Sequence, residues 1–185
     1  MSGPIKAAAN SLGARVVFGL LMLCAALPAK AADDLPVAAF FGTFQGSGIA
    51  VSQDAIYAPE TARDMDVTIQ QAGDGFTIQW TTVSRSGVGD IKRKSESLTF
   101  RLDAKGSRYV TDQRADPLSS DGLAWANIEK QTLNVFLLMI DAKGRYSLQR
   151  YARTLSSQGM ELLFVRTHQG SDRRIVKGLL VKVAN

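Results

Sequence analysis

The stretch Gln131-Thr132-Leu133-Asn134-Val135-Phe136-Leu137-Leu138-Met139-Ile140-Asp141-Ala142-Lys143-Gly144-Arg145-Tyr146-Ser147-Leu148-Gln149-Arg150-Tyr151-Ala152-Arg153-Thr154 decides the fold class. Side chains alternate across a strand, so Leu133, Val135, Leu137 and Met139 share one face of a first arm. Asp141 to Gly144 supplies the turn, and Gly144 can take the positive φ that closes such a loop. Tyr146 and Leu148 continue the apolar face on the return arm, with Ser147, Gln149 and Arg153 opposite. The same turn, Asp103-Ala104-Lys105-Gly106, follows Leu98-Thr99-Phe100-Arg101-Leu102. A chain that repeats this device builds antiparallel sheet.

Outward from there the pattern continues. Met65, Val67 and Ile69 alternate with polar residues, Gly73-Asp74-Gly75 turns, and Phe76, Ile78 and Trp80 alternate again, which is a second hairpin. Ala39 to Val51 reads as a first strand whose three glycines imply a bend, a bulge or a close backbone approach. Ser52 to Arg63 is a connection, with Pro59 to Arg63 readable as one helical turn. Ser107 to Thr111 is a short strand and Asp112 to Asp121 a polar loop carrying Pro117. Gly122 to Ile128, Met160 to His168 and Arg173 to Val183 are further strands. About ten strands at short spacing without a long helix give an all-β chain, expected to form an antiparallel up-and-down β-barrel of about 8–10 strands.

The first residues follow a different logic. Lys6 and Arg15 precede an apolar run of 12 residues, Val16 to Leu27, and Ala29-Lys30-Ala31 offers small residues to a signal peptidase. The expectation is a signal peptide over residues 1–31 and a single barrel domain over 32–185, exported to the periplasm or secreted. The run is too short to span a bilayer. Leu23 before Cys24 is too large for a lipid-attachment site. Cleavage after Ala31 removes Lys6, Arg15 and Lys30, leaving 19 of the 22 basic residues against 17 acidic ones, a balance of +2. The basic charge of the whole chain therefore gives no support to nucleic-acid binding. Cleavage also removes the single cysteine, and with it disulfides and thiolate chemistry. A membrane-spanning barrel is disfavoured by Lys92, Lys94, Lys177 and Lys182 within candidate strands.

Phe41-Gly42-Thr43-Phe44-Gln45-Gly46-Ser47-Gly48 resembles the first strand of calycin-type barrels. Lipocalins carry Gly-x-Trp there, and nitrobindin-like proteins carry Gly-Thr-Trp-x-Gly-x-Gly. Gly42, Thr43, Gly46 and Gly48 match, and Phe44 stands in place of the tryptophan. The strand number is also similar to that of fatty-acid-binding proteins. The resemblance implies a barrel with an internal cavity. In nitrobindins a histidine near the C-terminus holds haem, and His168 is the one histidine here. It is read as a solvent-facing residue at a strand end, and no cofactor or metal is assigned.

The expected function is binding of a small apolar ligand, without catalysis, by inward-pointing Phe44, Ile78, Trp80, Phe100 and Leu133. The alternative is an envelope scaffold or protein-interaction module with a filled barrel. No nucleophile–base pair or phosphate loop favours an enzyme. Asp64 and Asp66 are read as a solvated outer face, and Lys92-Arg93-Lys94 and Arg173-Arg174 as solvated edges. Phe136 to Ile140 is apolar on both faces, which a water-facing wall does not require. Phe136, Leu138 and Ile140 are therefore expected to meet a covering loop, a second copy of the chain or an envelope partner.

Overall fold

The computed structural model describes residues 33–53, 60–86 and 90–185. The expected signal peptide, its cleavage site, Cys24 and Pro59 lie outside these residues. Ten strands follow one short 3-10 helix, Val37–Phe40. They are β1 (Gly42–Ser52), β2 (Glu60–Ala72), β3 (Gly75–Ser86), β4 (Asp90–Leu102), β5 (Tyr109–Asp116), β6 (Gly122–Glu129), β7 (Thr132–Ile140), β8 (Tyr146–Ser156), β9 (Gly159–His168) and β10 (Ser171–Ala184). Each strand pairs antiparallel with its neighbours in sequence, and β10 pairs with β1, so the meander closes into a barrel with no free edge. This is the antiparallel up-and-down β-barrel that the sequence leads one to expect.

The two DAKG turns are the same physical device. Gly106 and Gly144 take φ of 68° and 75°, and each donates its N–H to the carbonyl of the aspartate that opens its turn. The Asp141 carboxylate accepts from the N–H groups of Lys143 and Arg145, and Asp103 accepts from those of Ser107 and Arg108.

The first-strand glycines mark a close approach. Gly48 of β1 faces Gly178 of β10, and the Met65 methyl group lies where a Cβ on either would sit. A Cβ on Gly48 would also stand 2.3 Å from the Lys177 carbonyl oxygen. The ladder shifts register between Thr43 and Phe44. The strand starts at Gly42 rather than Ala39, because Val37–Phe40 turns inward and buries Phe40 completely. Leu35 N–H donates to the Lys130 carbonyl and Lys130 N–H to the Asp34 carboxylate, which tie this leader to the β6–β7 turn. The barrel end near that turn is thus plugged by Phe40.

Two local expectations are corrected. Glu60 to Arg63 is not a helical turn: it pairs with β1 as the start of β2, its backbone bonded in the sheet. The polar run from Asp112 is not all loop, since β5 continues to Asp116. The reason lies at the β4–β5 seam, where only Arg101–Val110 and Leu102–Tyr109 pair through the backbone. Beyond them side chains replace the ladder. Gln113 accepts from Thr99 N–H at 2.6 Å, Asp112 pairs with Arg101 at 2.9 Å, and Arg114 pairs with Glu96. The segment is polar because its side chains do the bridging.

Candidate functional site

Inward positions alternate along every strand, but their chemistry changes with height. Near the plugged end they are apolar and packed. Phe44, Ile69, Phe76, Ile78, Leu98, Phe100, Leu133, Met160 and Leu180 are all buried there, and the Phe76 and Phe100 rings stack at 5.2 Å. Toward the other end, where Arg63, Lys92, Gln149, Arg166 and Arg174 project inward, packing gives way to a cavity of about 360 Å³. Its lining comes from β2, β3, β4, β8, β9 and β10. β1 passes this wall with Gly46 and Gly48, which carry no side chain to fill it.

The lining has two tiers. Met65, Val67, Trp80, Leu162, Phe164 and Val176 form an apolar lower wall. The Trp80, Tyr151 and Phe164 rings form a chain, with centroids 5.2 Å and then 4.7 Å apart. Set among them is Arg153, which is 1% exposed. Its guanidinium carbon lies 5.4 Å from the Trp80 ring centre and 5.3 Å from that of Tyr151, within cation–π range of both. Its Nε and Nη1 atoms are buried and have no hydrogen-bond partner among the described residues. No carboxylate pairs with it among the described residues. Glu96 is engaged by Arg114. Burial pulls the Arg153 pKa down to about 10, opposed by Tyr151, and burial pushes Tyr151 up to about 12. The Tyr151 hydroxyl donates to Gln149 Oε1 at 3.1 Å.

The upper tier is basic. Arg63, Lys92, Lys94, Arg166 and Arg174 line it, with Asp66 as the one acidic lining residue among the described residues. Burial and the neighbouring Arg174 lower the Arg63 pKa, and Arg63 Nε is buried without a partner. Two like charges held together over an apolar well raise the local potential for an anion.

The sequence-derived residues divide between these regions. Trp80 lines the cavity, whereas Phe44, Ile78, Phe100 and Leu133 lie in the packed floor. Asp64 points outward and pairs with Arg85, and Asp66 borders the cavity. Lys92 and Lys94 are exposed, as expected, but they share the inward face of β4 and stand at the cavity mouth. For the same reason they say nothing about a lipid-facing surface. His168 ends β9 opposite Ser171 and Ser147. The return arm of the opening hairpin runs opposite to expectation. Gln149, Tyr151 and Arg153 face inward, and Leu148 and Tyr146 face outward across from Leu138 and Ile140. Outward Phe136 stacks on Trp125 at 5.0 Å, and Leu123 sits across from Leu138. The apolar outer residues of β6, β7 and β8 thus half-bury one another.

The barrel has a known counterpart in fold. It is similar to a protein of unknown function of the DUF3598 family from Nostoc punctiforme PCC 73102, with a TM-score of 0.57 and 14% identity, over 86% of this chain and 53% of that one. The present chain thus spans about half the length of that protein. An S-type phycobiliprotein lyase, CPES, from Guillardia theta aligns over 82% of this chain and 94% of its own, with a TM-score of 0.35 and 8% identity. No protein-family model matches the chain, and no curated protein matches its sequence. The likeness to the DUF3598 protein is one of fold alone.

What sequence reading missed is the inward arginine. Its signal was Tyr151-Ala152-Arg153, an aromatic and a cation two residues apart and hence on one face, on a strand whose other face pairs with apolar residues of β7.

Proposed function

We propose that this chain is an exported, non-catalytic binding protein that holds a small ligand with a substantial apolar part inside its barrel. The observation that carries the reading is the cavity of about 360 Å³ within a closed wall, walled below by Trp80, Leu162 and Phe164. That volume lies within the range of ligand pockets and admits roughly a dozen water-sized groups. The resemblance of the first strand to calycin-type barrels points the same way. Export rests on the N-terminal sequence, Lys6 to Ala31.

The test uses the two tryptophans. Trp125 lies on the outer wall and Trp80 in the cavity. In a Trp125→Phe protein the remaining emission reports the cavity. The neutral probe N-phenyl-1-naphthylamine should bind at one equivalent and quench Trp80 by energy transfer. Absence of saturable binding overturns the reading.

A second reading concerns the outer stripe of Trp125, Phe136, Leu138 and Ile140, which offers a self-association or envelope-partner surface. It is independent of the cavity. Light scattering should show a dimer that Phe136→Glu dissociates, and a monomer in the unmodified chain removes it.

A further inference from the structure

The cavity described above is apolar in its lower wall, yet its most deeply buried polar group is a cation. A guanidinium is an expensive group to bury, and buried polar atoms normally find partners. Arg153 has two buried nitrogens, Nε and Nη1, without any hydrogen-bond partner among the described residues. Glu96 is engaged by Arg114 on β5, and Asp66, which borders the cavity, makes no ion pair with Arg153 among the described residues. What surrounds Arg153 instead is the pair of ring faces of Trp80 and Tyr151. Ring faces stabilise the charge by their quadrupoles but accept no strong hydrogen bond from the guanidinium edge. The donors at that edge therefore remain unused.

We infer that Arg153 is the anchor for the anionic head of the ligand, so that the natural ligand is a small organic anion: one acidic head group on an apolar body. This rests on the binding reading given above and specifies the chemical class that the site takes. The head accepts from the guanidinium edge between Trp80 and Tyr151, in a water-poor setting where a charge-assisted bond is strong. The apolar body lies along Met65, Leu162 and Val176. Arg63 and Arg174, close enough to lower the Arg63 pKa, stand on the route to Arg153 and draw an anion toward it. A carboxylate, a sulfonate and a phosphate monoester share this chemistry; free phosphate has the head without the body.

The test compares displacement of N-phenyl-1-naphthylamine by decanoate, 1-decanol and inorganic phosphate. In the unaltered protein decanoate should displace the probe at a concentration about tenfold or more below that of decanol, and phosphate should not displace it. In Arg153→Met the decanoate-to-decanol ratio should fall to about one while decanol binding persists. Arg153→Lys, which keeps a charge, should recover part of the preference. Equal affinity for decanoate and decanol in the unaltered protein overturns the inference and leaves the binding reading standing. So does a preference that survives Arg153→Met. Displacement by phosphate as effective as by decanoate also overturns it, since the body would then contribute nothing. Failure of the probe itself to bind overturns the binding reading.

Discussion

Arg153 lies over Trp80, its guanidinium carbon 5.4 Å from the ring centre, at the base of the cavity, and no carboxylate pairs with it among the described residues. A charge held this way is a stability cost retained in the fold. From a pKa pulled from 12.5 to about 10, keeping the guanidinium charged costs on the order of 3 kcal/mol. Arg153→Met removes the charge and keeps much of the volume. It should stabilise the ligand-free protein by about 1–3 kcal/mol in urea unfolding, because an uncompensated buried charge gives way to an apolar side chain. A loss of stability would mean that the cation–π contacts outweigh desolvation.

The pH dependence of stability separates Arg153 from Tyr151. A phenol whose folded pKa is about 12 contributes stability that is full below its unfolded value near 10 and is lost as pH rises toward 12. Arg153 runs the other way: its folded pKa near 10 lies below the unfolded value of 12.5, so its unfavourable contribution shrinks as pH rises from about 10. The two changes oppose each other in one window. Tyr151→Phe removes the tyrosine half, so the stability of the variant minus that of the unaltered protein should grow by about 2 kcal/mol between pH 10 and 12. Urea midpoints across that range measure it, and a constant difference would contradict it.

Binding should follow the charge on Arg153. Below pH 9 the guanidinium is charged, and decanoate affinity should be flat above the carboxylate's own titration. Above about pH 10 the free site loses its proton, so affinity should fall by up to tenfold per pH unit, while decanol affinity stays level. Parallel titrations of the two ligands check this.

The β1–β10 seam depends on glycine for space rather than for backbone freedom. Gly48→Ala places a Cβ 2.3 Å from the Lys177 carbonyl oxygen, which is held in the sheet. In Gly178→Ala the nearest atom, at 2.4 Å, is the Met65 methyl, which can rotate away, and the Ser47 carbonyl oxygen lies at 2.8 Å. Both should destabilise by about 1–3 kcal/mol, the Gly48 variant more. Denaturant unfolding of the pair tests the order.

How far the sequence led can be judged residue by residue. The period-two pattern at Phe76, Ile78 and Trp80, the DAKG turns and the first-strand glycines each specify backbone, and each is found in place. These signals are local, set by alternation and by allowed φ. The site is not local. Taking apolar as inward puts Leu148 inside and Arg153 outside, and at β8 the opposite holds because the outer face packs on Leu138 and the inner face lines a polar-topped cavity. Within the hairpin the one local sign is the spacing Tyr151-Ala152-Arg153, and alternation alone does not say whether that face meets a dry core or a cavity. The same inversion hid Lys92 and Lys94, whose parity matches Leu98 and Phe100 further down β4 and which the barrel turns toward its mouth. Asp112 to Arg114 reads as loop because its side chains replace a backbone ladder, and that substitution becomes visible only once Thr99 and Arg101 are alongside.

The most direct measurement is the nitrogen-15 NMR signal of the arginine Nε–H groups during titration with decanoate. The Arg153 Nε–H should shift downfield and saturate at one equivalent, with slowed solvent exchange, while surface Arg145, paired with Asp141, stays in place. Saturable decanoate binding that leaves the Arg153 signal unmoved would contradict its role as the anchor.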